Sequence, residues 1–120
     1  MKEIKVGIIG TGFMGTCIGH PLSNWRALNT YKFPDPLDDP LFDKCEKEIM
    51  AIGYEKYICG GWELLFERMA RLRGYENLMI DLITRESEVR LLADKILDYN
   101  LIRIKRWCEV GVDGVILADD

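Results

Sequence analysis

Apolar positions along the chain fall into short blocks in which strand-like runs alternate with helical stripes. Residues 3 to 10, Glu-Ile-Lys-Val-Gly-Ile-Ile-Gly, are rich in β-branched residues and end in a continuous apolar run. They predict a short strand, with Gly7 as its weak point. Residues 11 to 40 hold all four prolines (21, 34, 36 and 40) with Asn24, Asn29, Asp35, Asp38 and Asp39, and show no sustained period. A loop this long is unusual in a compact domain; it is functional, or something that should surround it is missing.

From Pro40 the spacing becomes helical. Leu41, Phe42, Cys45, Ile49 and Met50 share a face, Asp38 or Asp39 can cap the start, Pro40 suits the first helical position, and Gly53 ends it. Tyr57-Ile58-Cys59 predicts a short strand stopping at Gly60-Gly61, followed by a helix with Trp62, Leu65, Phe66 and Met69 on one face, closed by Gly74. A brief helix is expected over 76–83 and a long one over 86–109. Val89, Leu92, Ala93, Ile96, Leu97, Leu101, Ile104, Trp107 and Cys108 form the stripe of the long helix, with Ser87 or Thr84 as its cap and Gly111 as its stop. Residues 112–117 predict a buried strand that delivers Asp119 and Asp120 at its C-terminal end. The sum is an α/β chain.

With 48% apolar and 30% charged residues, the 120-residue chain has the balance of a soluble globular protein rather than a disordered one. A net charge of −4 argues against a general affinity for nucleic acid or anionic lipid. No apolar run approaches a membrane span, and the glycines at 7, 10 and 12 interrupt the N-terminal apolar stretch, so neither a spanning helix nor a secretory signal is expected. Cysteines 17, 45, 59 and 108 form no CxxC pair and His20 is the only histidine. Reduced, mostly buried thiols in a cytoplasmic protein are expected, and no metal site.

Three motifs carry candidate chemistry. Gly10-Thr11-Gly12-Phe13-Met14-Gly15 follows the first strand as a GxGxxG loop, whose glycines would admit a pyrophosphate. It resembles the opening of sugar-type NAD(P)-dependent oxidoreductases, which would make Gly10, Gly12 and Gly15 cofactor-binding. His20-Pro21 interrupts the helix that should follow, and the acids at 35, 38 and 39 lie in the proline-rich loop rather than after a second strand. Asp119 and Asp120 stand at a strand's C-terminal end, where α/β barrels place their chemistry, although only one of two neighbours can face a pocket. Gly60 and Gly61 can present backbone N–H groups to an anion or simply make a tight turn. Glu63, Glu67 and Arg71, spaced by four, read as a solvated helix face, and His20 as a loop hydrogen-bonder.

Residues 17 to 120 resemble the uroporphyrinogen decarboxylase family, including its corrinoid-linked methyltransferase relatives. The resemblance rests on Ile18-Gly19-His20-Pro21-Leu22-Ser23-Asn24-Trp25, Tyr31-Lys32-Phe33-Pro34-Asp35-Pro36, Phe66-Glu67-Arg68-Met69, Leu72-Arg73-Gly74-Tyr75-Glu76-Asn77-Leu78 and residues 111–120. It implies a (β/α)8 barrel, a fold of about 250 residues, so that this chain covers part of one. It also implies a tetrapyrrole or corrinoid-linked substrate, processed by decarboxylation or methyl transfer. The decarboxylases use no metal or organic cofactor and none is expected here; the zinc ligands of the methyltransferase branch belong to a later part of the barrel. Residue by residue, the resemblance makes Gly60, Gly61, Trp62, Glu67 and Asp119 candidates for substrate binding and Asp120 the candidate catalytic acid. Glu67 falls near a pocket tyrosine of the decarboxylases and Asp120 at a pocket hydroxyl, and both departures point to the broader family.

The first sixteen residues fit the oxidoreductase opening instead, so a join of two unrelated coding pieces is expected near Gly15 to Cys17. The isolated chain is expected to be inactive and prone to self-association through uncovered strand edges and helix faces. An oxidoreductase fragment and a non-catalytic partner subunit are the alternatives.

Overall fold

The computed structural model describes residues 6–9, 20–52 and 55–119. Three parallel strands, β1 (Val6–Ile9), β2 (Tyr57–Glu63) and β3 (Gly114–Leu117), lie side by side in chain order. Helix α1 (Pro40–Ile52) lies between β1 and β2 in the chain; α2 (Phe66–Arg73), α3 (Tyr75–Thr84) and α4 (Glu86–Val110) lie between β2 and β3. The chain is therefore mixed α/β. Val6–Ile9, from the segment expected to stand apart, pairs with Tyr57–Gly60.

Several elements depart from the sequence expectations. The stretch 20–39 is irregular as expected, but Trp25–Asn29 winds into a short 3-10 helix capped by the Asn24 side chain. Asp39 rather than Asp38 receives the Leu41 N–H at the start of α1, and Met50 is solvent-exposed. Strand β2 does not stop at Gly60-Gly61 but runs to Glu63, so Trp62 belongs to a strand and not to the helix expected around it. Helix α4 follows Arg85 as N-cap with no side-chain cap: the Ser87 hydroxyl bonds Glu88 and the Thr84 hydroxyl bonds the Ile80 carbonyl. Its core-facing side holds Tyr99, Asn100 and Arg103 as well as Val89, Leu92, Ile96 and Trp107, whereas Leu97, Leu101 and Cys108 face solvent. Strand β3 is only half-buried and Leu117 is exposed.

Two apolar clusters hold the layers together. In the first, Met69 and Leu72 of α2, Leu78 of α3 and Val89, Leu92, Ile96 and Tyr99 of α4 bury Leu22 and Leu28 from the long irregular segment. That segment is thus a structural wrap. Its Leu22 N–H donates to the Leu72 carbonyl, and Arg73, paired with Asp81, donates to the carbonyls of Leu22 and Ser23 while lying over the Trp25 ring. In the second cluster, Phe42 and Cys45 of α1 meet Trp107 and Val110 of α4 beneath the sheet, with Val112 and Val115 alongside.

One extra residue in β2 decides which side chains reach these clusters. Gly60 pairs with Val115 and Glu63 with Leu117, so three steps on β2 match two on β3. This is a β-bulge, with Gly61 at φ +74°. Ile58 and Gly60 face α4; the bulge then turns Trp62 outward and Glu63 inward. A Cβ on Gly60 would stand 2.7 Å from both Trp107 Cε3 and Val112 Cγ1, and one on Gly61 2.9 Å from Trp107 Nε1. The two glycines form neither a tight turn nor an anion cradle but the floor on which the Trp107 indole rests. Gly111, in contrast, has φ +95° with no atom within 4 Å of its would-be Cβ. Gly111→Ala should therefore cost only backbone strain, about 1 kcal/mol, while Gly61→Ala adds the clash and should cost about 2–4 kcal/mol. Urea denaturation of the two variants checks the difference.

Candidate functional site

At the C-terminal ends of β2 and β3 lies a cleft of about 500 Å3, lined by Trp62, Leu64, Phe66, Glu67, Ala70, Tyr75 and Ala118. Local backbone features place five of the seven lining residues. The bulge turns Trp62 outward; the first turns of α2 present Phe66, Glu67 and Ala70; and Gly74, at φ +89°, reverses the chain so that Tyr75 opens α3 beside them. The Phe66 and Tyr75 rings meet edge-on, with centroids 6.3 Å apart. Glu67 pairs with Arg71 one turn along α2, on an exposed helix face as expected for these two. Glu63, the third residue of that expected face, is buried in the strand.

Asp119 follows Ala118 of the cleft lining, and its carboxylate accepts from three backbone N–H groups. Oδ2 accepts from the Leu65 N–H at 2.9 Å, and Oδ1 from the N–H groups of Phe66 at 2.9 Å and Glu67 at 3.4 Å. These are the unpaired donors at the start of α2, whose own N-cap, Leu65, has no side chain able to satisfy them. A carboxylate there also meets the positive end of the helix dipole. Asp119 therefore ties the end of β3 to α2 in the manner of a cap supplied from a distant strand. Ala118 N–H to the Glu63 carbonyl adds a backbone bond at the same corner.

Of the residues singled out from the sequence, Trp62 and Glu67 line the cleft, Asp119 braces it, and Gly60 and Gly61 lie behind it against Trp107. Asp120, Gly10, Gly12 and Gly15 lie outside the described residues. His20 Nδ1 lies 2.9 Å from the Arg71 carbonyl oxygen, a loop hydrogen bond as expected.

The most consequential polar group was not among the candidates. The Glu63 carboxylate is fully buried between two guanidiniums, with Arg68 Nη1 at 2.7 Å from Oε2 and Arg103 Nε at 3.0 Å from Oε1. Arg103 also donates to Asp39 Oδ2 at 3.0 Å and to the Pro36 carbonyl at 3.3 Å. Asn100 accepts from Arg68 and donates to the Leu64 carbonyl at 3.0 Å. Two carboxylates thus balance two guanidiniums at the seam of the apolar clusters, with Arg68 over the Tyr99 ring and Arg103 over Phe42. One signal could have revealed the arrangement: Arg103 and Asn100 occupy core-facing helical positions among the apolar residues of α4, where charged groups must be paired.

Burial and neighbouring charges shift three groups. For Arg103, burial favours deprotonation, but Glu63 and Asp39 outweigh it and hold the guanidinium above its ordinary value. Burial raises the Cys45 thiol, reinforced by Glu48. Burial also raises the Tyr99 phenol despite the opposing pull of Arg103 and Arg68. Among the described residues Cys45, Cys59 and Cys108 are free thiols, and Cys108 is exposed rather than buried. No three metal-capable side chains come together among the described residues, and no helix there is long and apolar enough to cross a membrane.

No protein-family model, curated protein or solved structure matches the chain.

Glu63→Gln removes the central charge and leaves the buried guanidiniums in excess. It should destabilise the fold by about 3–5 kcal/mol in urea denaturation. Tyr99 supplies a pH test. Its folded pKa lies above the unfolded value of about 10, so its stabilising contribution is complete below that pH and is lost as pH rises through the folded value. The urea midpoint should fall as pH rises above about 10, and Tyr99→Phe should flatten that fall.

Proposed function

We propose that the chain is a segment of a uroporphyrinogen decarboxylase-like (β/α)8 barrel, that the cleft at the ends of β2 and β3 is part of its substrate site, and that the whole barrel works in corrinoid-linked methyl transfer. The observation that carries this reading is the position of the cleft. Three parallel strands stand in chain order with helices between them, and Trp62, Leu64 and Ala118 open the cleft at their C-terminal ends. Barrel enzymes assemble their sites at that end. Neighbouring strands in chain order suit a barrel better than a doubly wound sheet, in which the order reverses at the ligand crevice.

Methyl transfer is preferred to tetrapyrrole decarboxylation because of what the cleft presents. A polycarboxylate needs cationic or N–H donors, yet the N-terminal amides of α2 are already held by Asp119, and the carboxylate in the cleft wall is that of Glu67. The free thiols suit a cytoplasmic setting. Uncovered apolar side chains such as Leu97, Leu101, Ile83 and Leu117 support self-association of the isolated chain, which is expected to show no turnover.

Equilibrium dialysis tests the reading. The chain should retain hydroxocobalamin, and Trp62→Leu should weaken that retention about tenfold, the effect of removing one large aromatic contact. Retention of uroporphyrin in place of the corrinoid would move the assignment to the decarboxylase branch. Retention of neither would overturn it.

A further inference from the structure

We infer that the small-ligand part of this cleft is a site for an organic cation of the methylated ammonium class. The inference rests on the cleft being a substrate site and goes further by naming the chemistry of the ligand.

Four observations converge. First, Trp62, Phe66 and Tyr75 come together from β2, α2 and the start of α3, so three aromatic rings from separate elements line one cleft. Aromatic faces attract cations through the ring quadrupole, tryptophan most strongly, and favour bulky, weakly hydrated onium groups. Second, Trp62 and Tyr75 remain exposed in the cleft, 39% and 62%, so their surfaces are not used up by packing. Third, the wall contains the acid Glu67, whose carboxylate can complement a positive charge. Fourth, the feature that would attract an anion is already occupied. The amides of Leu65, Phe66 and Glu67 at the start of α2 all donate to Asp119, an acid next in the chain to Ala118 of the lining.

The volume fits as well. About 500 Å3 accommodates a small organic molecule. The remaining lining, Leu64, Ala70 and Ala118, is apolar and would contact the methyl groups of an onium ligand without demanding hydrogen bonds. Glu67 is also paired with Arg71, so the cation is recognised by rings and a shared carboxylate together rather than by an isolated ion pair.

Choline and its neutral isostere 3,3-dimethylbutan-1-ol separate charge from shape. The full chain is titrated with each while the indole N–H resonance of Trp62 is followed by NMR. Choline should shift that resonance and bind about tenfold more tightly than the alcohol. Glu67→Gln, followed on the same resonance, and Trp62→Leu, followed on the backbone amides of Phe66 and Glu67, should each weaken choline binding severalfold while leaving the amide spectrum of the rest of the chain in place. Equal binding of choline and the alcohol overturns the proposal and leaves an apolar cleft. An absence of choline binding to a chain that still retains hydroxocobalamin overturns the proposal alone, with the corrinoid reading intact. Choline binding without corrinoid retention sustains the cation site and removes the methyl-transfer reading.

Discussion

The structure is organised around the buried Glu63 carboxylate, held between Arg68 of α2 and Arg103 of α4. A charge removed from water in this way is tolerable only with partners of opposite sign and well-aligned hydrogen bonds. Glu63 therefore fixes where both helices can sit relative to the end of β2. Asp39 and the Pro36 carbonyl extend the constraint to the irregular segment before α1, and Asn100 extends it to Leu64 in the floor of the cleft. The apolar clusters on either side fill the space that this cluster defines.

The arrangement depends on a backbone irregularity. Without the extra residue at Gly61, strict alternation would turn Trp62 toward α4 and Glu63 toward the opposite face. With it, the acid enters the core and the indole reaches the cleft. The same two glycines let Trp107 approach the sheet closely enough to pack there. One local feature thus supplies both the central charge of the core and an aromatic residue of the cleft wall.

Asp119 shows how an acid just beyond one strand can set the start of a helix elsewhere in the chain. By taking the first amides of α2, it fixes the turn that carries Phe66 and Glu67, and it cancels the anion-attracting character of that helix end. The donors at the start of α2 are thus taken up by an acid two residues beyond the end of β3.

The alternation of strands and helices, the starts and stops marked by Pro40, Gly74 and Gly111, and the apolar face of α4 through Val89, Leu92, Ile96 and Trp107 were all legible in the residue pattern. These follow from periodicity and from glycine and proline stereochemistry, which act over a few residues. Trp62 and Glu67 were legible as candidates, but their meeting in one cleft was not, because it requires a strand to run past two glycines that look like a stop. Tertiary structure alone decided the pairing of Glu63 with Arg68 and Arg103, 5 and 40 positions away, and the capping of α2 by Asp119, more than 50 positions away. Pairing in a water-poor interior depends on which groups the completed fold brings together, and no local pattern encodes that choice.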